Sequence, residues 1–201
     1  MIRVVIAEDQ QMIRSAFASL LKFETDIEMA AEVSDGRQAW EAIQKLQPDV
    51  CVLDIEMPYL SGLELAETIR RDGLPCKLII VTTFARPGYL QKAMEARVNG
   101  YLLKDEPIDV LIDSIRKVMR GEQVISADLA PTLFMKEENP LSEREAEMLR
   151  LTKTGMTTDE ISKALFLTKG TVRNYLSSAI QKLEAESRQQ AVQIAEEKGW
   201  I

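Results

Sequence analysis

Short apolar runs alternate with stretches of helical spacing through the first 120 residues, and that alternation leaves few folds open. The runs are Arg3–Ala7, Ile27–Val33, Val50–Leu53, Lys77–Val81 and Gly100–Leu103, the second being the weakest. Their length and their bounding turn residues mark them as buried strands. Between them apolar residues recur every three or four positions, as in Met12-Ile13…Phe17…Leu20-Leu21 and in Ala39, Trp40, Ala42, Ile43 and Leu46. Asp35 is placed to cap the second of these helices, and Pro48 ends it. Further helices are expected over 63–71, 88–95 and 108–120, with Gly121 as a stop. Strands alternating with helices imply parallel pairing and right-handed crossovers. The expected fold is therefore a doubly wound α/β layer of five parallel strands and five helices.

Polar residues follow the apolar runs in a telling order. Glu8 and Asp9 follow the first, Asp54 the third, Thr82 the fourth and Lys104 the fifth. An open parallel sheet binds ligands at the carboxyl ends of its strands. Three carboxylates, a hydroxyl and an ammonium would then face one crevice. Any one of them alone is best read as a solvated strand rim; five at successive strand ends point to a site. Mg²⁺ prefers oxygen ligands and keeps several waters. Asp9 and Asp54 are placed to ligate it directly, Glu8 through water, and the Glu56 backbone carbonyl as a further ligand. Asp54 at the mouth of the sheet suits a nucleophile for a phosphoryl group. Lys104 would neutralise one phosphoryl oxygen, and Thr82 would hydrogen-bond another.

The last sixty or so residues show no strand pattern. Ser142 and Glu145 form a capping box ahead of Ala146, Met148, Leu149 and Leu151, and Gly155 stops that helix. Thr157 or Thr158 caps a second helix, Thr168 a third bearing Val172, Leu176, Ile180 and Leu183, and Ser187 a fourth. Four short helices with a tight turn between the second and third suggest a helix-turn-helix module. Residues 121–140 lose strong periodicity and read as a linker, with one short helix around 128–135. The expected division is thus 1–120, a linker over 121–140, and 141–201.

Composition narrows the chemistry. A chain of 201 residues with 46% hydrophobic content is sized for two soluble domains. No apolar run approaches a membrane span. The start, Met1-Ile2-Arg3-Val4-Val5-Ile6, enters a strand pattern without a signal-peptide layout, so the expected location is the cytoplasm. Cys51 and Cys76 are expected as reduced core thiols. Histidine is absent, which excludes a Ser-His-Asp triad and a Cys-His dyad. The chain also cannot itself be the histidine phosphodonor of a relay. The net charge is -7, all of it carried by residues 1–139, whereas residues 140–201 carry nine basic and nine acidic side chains. Within 156–183 the balance is +2, from Lys163, Lys169, Arg173 and Lys182 against Asp159 and Glu160. A modest basic surface beside an acidic domain is compatible with DNA binding.

The motifs Glu8-Asp9, Asp54 with Met57-Pro58 and Gly62, Thr82, and Tyr101-Leu102-Leu103-Lys104 resemble those of bacterial two-component response regulators. The resemblance implies a receiver domain of flavodoxin-like fold over 1–120. It implies that Asp54 takes phosphate from a sensor kinase histidine. It further implies that the Thr82 hydroxyl is then drawn inwards and that Tyr101 swings in behind it. Lys104 is followed by Asp105 where many receivers have proline. Glu56 adds a further acid near the site, with a solvated surface role and a role in tuning the acyl phosphate both open. The stretch Thr82-Thr83-Phe84-Ala85-Arg86-Pro87-Gly88-Tyr89 resembles that of DesR-type regulators, which control fatty-acid desaturation in Gram-positive bacteria.

The C-terminal segment resembles the LuxR/NarL-type helix-turn-helix. The matching pieces are Leu141-Ser142-Glu143-Arg144-Glu145, Gly155 with Glu160-Ile161, and Thr171-Val172-Arg173-Asn174-Tyr175-Leu176 followed by Lys182-Leu183. In the third helix Arg173, Asn174, Ser177 and Gln181 lie off the apolar stripe. Arg suits guanine and Asn adenine in the major groove. The resemblance makes Arg173, Asn174 and Ser177 the base readers. Thr158, Thr168, Lys169, Thr171 and Lys182 are candidates for backbone contacts that set register. Tyr175 and Trp200 are expected to pack.

The reading is a response-regulator transcription factor. A sensor histidine kinase phosphorylates Asp54 with Mg²⁺, which promotes homodimerisation and binding to double-stranded promoter DNA, with no membrane partner. Two alternatives use the same residues. One is a Mg²⁺-dependent phosphatase or phosphotransferase acting through Asp54, which would need a substrate-enclosing cap that loops this short do not provide. The other is a switched module whose C-terminal helices bind protein.

Overall fold

The computed structural model describes residues 1–83, 87–129 and 139–201. Its first unit is built on a parallel sheet of strands β1 (Ile2–Ala7), β2 (Ile27–Val33), β3 (Val50–Asp54), β4 (Lys77–Thr82), β5 (Gly100–Leu103) and β6 (Val124–Ile125). Their spatial order is β2-β1-β3-β4-β5-β6. The central strand β3 is buried along all of its residues, which is why its apolar run is unbroken rather than alternating.

The sheet has six strands rather than the five expected. β6 pairs Val124 with Gly100 and Ile125 with Tyr101, inside the segment that the sequence presents as a linker. A strand of two apolar residues is too short to show a period of two, so nothing in its own sequence announces it.

Helices α1 (Gln11–Leu21), α2 (Gly36–Leu46), α3 (Gly62–Arg71), α4 (Pro87–Glu95) and α5 (Ile108–Met119) follow β1 to β5 in turn. Asp35 caps α2 by accepting from the Gln38 backbone N–H at 2.8 Å. Ser61 and Glu64 form a capping box on α3 that the sequence reading did not single out. Gly121, at φ 86°, ends α5 in the left-handed region that favours glycine. The main core joins Val4, Ile6, Val50, Val52, Ile79, Val81 and Leu102 of the sheet to Leu111, Ile112, Ile115 and Val118 of α5. Cys51 and Cys76 are buried free thiols, as expected. Beyond β6 one 3-10 turn covers 127–129, and most of the helix expected around 128–135 lies outside the described residues.

The second unit consists of α6 (Glu143–Lys153), α7 (Thr158–Ala164), α8 (Lys169–Lys182) and α9 (Arg188–Glu197). All four N-caps are hydroxyl residues: Ser142, Thr157, Thr168 and Ser187. Thr157 rather than Thr158 is the cap of α7, its side chain accepting from the Glu160 N–H. Leu149, Ile161, Val172, Leu176, Ala179, Leu183 and Ala191 close the core. Tyr175 and Trp200 pack partly buried against it. Among the described residues no helix is long and apolar enough to cross a membrane.

Candidate functional site: an acidic crevice and an exposed helix face

The parallel registers Ala7 with Leu53, Asp54 with Val81 and Thr82 with Leu103 bring the carboxyl ends of β1, β3, β4 and β5 to one rim. Glu8, Asp9 and Asp54 each offer a carboxylate oxygen there, all within 4.8 Å of one another. Glu8 and Asp54 are buried, while Asp9 is exposed and opens the group to water. Lys104 extends from the end of β5 and places its Nζ 2.8 Å from Glu8 Oε2 and 3.0 Å from Asp54 Oδ2. The Arg14 guanidinium donates to the Glu8 backbone carbonyl at 2.6 Å and braces the turn.

Electrostatics follow from this crowding. Burial raises the Asp54 carboxyl above its ordinary range, the hydrogen bond and charge of Lys104 pull it down, and Asp9 pushes it up again. Burial raises Glu8 as well, opposed by its hydrogen bond to Lys104. Burial alone would lower Lys104, but its two carboxylate partners outweigh that and hold it above its usual value. Three acids served by one ammonium leave a net demand for positive charge. Asp54 Oδ2 is buried, with the Lys104 ammonium 3.0 Å away as its ion-pair partner. A hard cation with oxygen ligands fits that donor set, so the cluster is compatible with Mg²⁺.

Thr82 closes β4 as a buried residue, and its backbone carbonyl accepts from the Lys104 N–H at 2.9 Å. Tyr101 is fully buried in β5, two registers before the rim. Glu56 is exposed, its carboxylate lies outside the acid trio, and its backbone N–H donates to Asp54. The Lys104–Asp105 peptide is trans. Gly62 is required by close approach: a Cβ there would stand 2.1 Å from the Asp54 carbonyl oxygen. Two residues that the sequence does not mark, Glu106 and Ser126, also meet at this rim through a side-chain hydrogen bond. A buried serine just after two apolar residues carries too little pattern to be found beforehand. Of the octapeptide from Thr82 to Tyr89, residues 84–86 lie outside the described residues.

In the second unit, α8 turns Val172, Leu176 and Ala179 inward and leaves Arg173, Asn174 and Ser177 exposed. These three make no side-chain hydrogen bond or ion pair among the described residues. Four of the other five candidates are engaged. Thr168 Oγ1 accepts from the Thr171 N–H at 3.1 Å and meets the Thr171 hydroxyl at 2.8 Å. Lys169 pairs with Asp159, and Thr158 is half-buried in the first turn of α7. Lys182 pairs at 2.7 Å with Glu145, a buried carboxylate that also takes the Ser178 hydroxyl at 2.6 Å. Lys182 is thus a tie between α8 and α6 before it is anything else.

Comparison with known proteins assigns both units. Residues 4–116 match the model of the response regulator receiver domain, and residues 139–195 match that of bacterial regulatory proteins of the luxR family. The chain is 52% identical over 201 residues to the uncharacterized transcriptional regulatory protein YvfU of Bacillus subtilis (strain 168), covering 100% of both chains. It is 48% identical over the same length to the transcriptional regulatory protein DesR of that organism, again covering 100% of both. Among solved structures it is similar to a LuxR-family DNA-binding response regulator from Staphylococcus aureus. That match has a TM-score of 0.58 at 44% identity and covers 59% of this chain and 99% of that one. A receiver domain joined to a luxR-type DNA-binding domain, with full-length relatives that are transcriptional regulators, makes this chain a member of the NarL/LuxR-type two-component response regulators.

Proposed function

We propose that Asp54 is the phosphoacceptor and that its phosphorylation promotes dimerisation and sequence-specific binding of promoter DNA by α8. A sensor histidine kinase is the donor. An Asp54 carboxylate oxygen attacks phosphorus in line, the N–P bond of the kinase phosphohistidine breaks, and the imidazole leaves. Asp9 and Asp54 would hold Mg²⁺ directly and Glu8 through water, with the Glu56 carbonyl as a further ligand, and the bound metal would supply positive charge to the phosphoryl oxygens. Lys104 is already beside Asp54 and transfers its ion pair to a phosphoryl oxygen. Thr82 donates its hydroxyl to another, and Tyr101, already turned inwards in this structure, closes behind it. The acid trio bridged by Lys104 is the observation that carries this reading.

The working division is a receiver over 1–120 with β6 appended, a connecting segment up to 140, and a DNA-binding domain over 141–201. The protein acts in the cytoplasm. It catalyses only its own phosphotransfer and dephosphorylation. Exposed Met12, Leu20 and Phe23 along and just beyond α1, with Met119 at the end of α5, favour α1 and α5 as the dimer face. On DNA, Arg173, Asn174 and Ser177 read bases, and Thr158, Thr168, Lys169, Thr171 and Lys182 contact the backbone. Incubation with acetyl phosphate and Mg²⁺ tests the acceptor: wild type takes label and Asp54→Ala, still folded, does not. Normal labelling of that variant refutes the assignment.

A further inference from the structure

The turn that follows β6 is wired to the backbone that carries Lys104. The Ser126 N–H donates to the Tyr101 carbonyl at 3.0 Å. The Ser126 hydroxyl donates to Glu106 Oε2 and accepts from the Leu103 N–H at 3.1 Å. Leu103 N–H is shared, lying 3.1 Å from Glu106 Oε2 as well. One residue on, the Lys104 N–H donates to the Thr82 carbonyl at 2.9 Å. Ser126 is only 3% exposed, so its hydroxyl has no water to fall back on. The turn is pinned from the other side by Leu129, fully buried, whose N–H donates to the Ser126 carbonyl at 2.9 Å.

Each of these contacts falls next to a residue of the proposed switch. Tyr101 is on β5 and Lys104 directly follows it, Thr82 ends the neighbouring β4, and the connecting segment begins at the serine. The Leu103 N–H and the Ser126 hydroxyl together fix the strand end from which the lysine side chain must reach Glu8 and Asp54. A strand end that needed only a cap would be satisfied by Glu106 alone; the serine adds the connecting segment to the same network.

Building on the reading of Asp54 as phosphoacceptor, we propose that Ser126 and Glu106 are positioning residues for Lys104, and that through them the turn after β6 responds to the phosphorylation state. When Lys104 leaves Glu8 for a phosphoryl oxygen, the pull passes along Leu103 to Ser126. From Ser126 it enters the chain leading to the DNA-binding domain. The coupling runs both ways: loosening the turn mispositions the lysine.

Full-length wild type, Ser126→Ala, Ser126→Thr and Asp54→Ala are compared in two measurements. The first is the rate of phosphorylation against acetyl phosphate concentration in Mg²⁺. The second is amide hydrogen exchange over 121–129 with and without beryllofluoride. Ser126→Ala is expected to lower the maximal rate about two- to tenfold, the weight of one net hydrogen bond, with the half-saturating donor concentration unchanged. It is also expected to lose the exchange response at 124–129. Ser126→Thr, which keeps the hydroxyl, restores both. A labelled wild type whose rate and exchange response are matched by Ser126→Ala overturns the positioning role of Ser126 alone. An unlabelled wild type, or a labelled Asp54→Ala, overturns the acceptor reading and the positioning role with it.

Discussion

The Lys104 ammonium lies 3.0 Å from Asp54 Oδ2, and neither side chain is more than 5% exposed. The same ammonium also serves Glu8, so one cation answers for two buried carboxylates. Removing it leaves those charges uncompensated. Lys104→Gln should lower thermal stability at neutral pH by about 3 kcal/mol, the low end for breaking a buried pair. It should also slow phosphorylation from acetyl phosphate. A variant as stable and as readily labelled as wild type would remove Lys104 from the site.

Gly62 sits where no other residue fits without moving the acceptor. Its Cβ position is 2.1 Å from the Asp54 carbonyl oxygen. Gly62→Ala should cost about 1–3 kcal/mol, as an overpacked contact does. The phosphorylation rate should fall with it, because the atom displaced is the acceptor's own backbone. Chemical denaturation and label incorporation measured on one preparation check both.

These two residues differ in how legible they were. Lys104 is announced by its place after an apolar strand, as are Glu8, Asp9, Asp54 and Thr82, because strand length and parallel order alone carry them to one rim. Gly62 stood in the sequence as part of a motif, but its reason, a backbone contact to Asp54, exists only once the chain is folded. β6 and its Ser126 were hidden because two apolar residues show no period. Glu56 shows the limit of proximity along the chain: it stands two positions from Asp54, yet it is exposed and its carboxylate is not among the three that gather within 4.8 Å of one another. In the second unit the hydroxyl caps and the apolar stripe were readable, whereas the engagement of Lys182 by Glu145 needed the packing of α8 on α6.

Glu145 gives the second unit an acid-sensitive joint. Burial works against its charge, but hydrogen bonds from Lys182, Ser178 and Ser142 overcome it and hold the carboxyl at about 2. The folded value lies below the unfolded one. The stabilisation is therefore present above about 4.5, the ordinary glutamate value, and is lost as pH falls towards about 2. Glu145→Gln should cost about 1–3 kcal/mol at neutral pH and flatten the acid limb of the unfolding curve for the C-terminal helices. An unchanged acid limb would show that the carboxylate is not the joint.

Arg173 and Lys169 should separate on DNA. Arg173 is exposed without a protein partner among the described residues, whereas Lys169 is at the N-terminus of α8 and paired with Asp159. Arg173→Ala should weaken specific binding by about 1–3 kcal/mol and relax the preference for one base. Lys169→Ala should weaken specific and non-specific sites alike and reduce the salt slope by about one. Binding isotherms at several salt concentrations on specific and scrambled duplexes tell the two apart.

Selection of DNA from a random pool, with and without Mg²⁺ and beryllofluoride, tests most directly the claim that phosphorylation of Asp54 drives DNA binding. Beryllofluoride stands in for the phosphoryl group on the aspartate. The account predicts a repeated half-site enriched mainly with the mimic, and no such gain for Asp54→Ala. Equal enrichment with and without the mimic, or none in either, would contradict it.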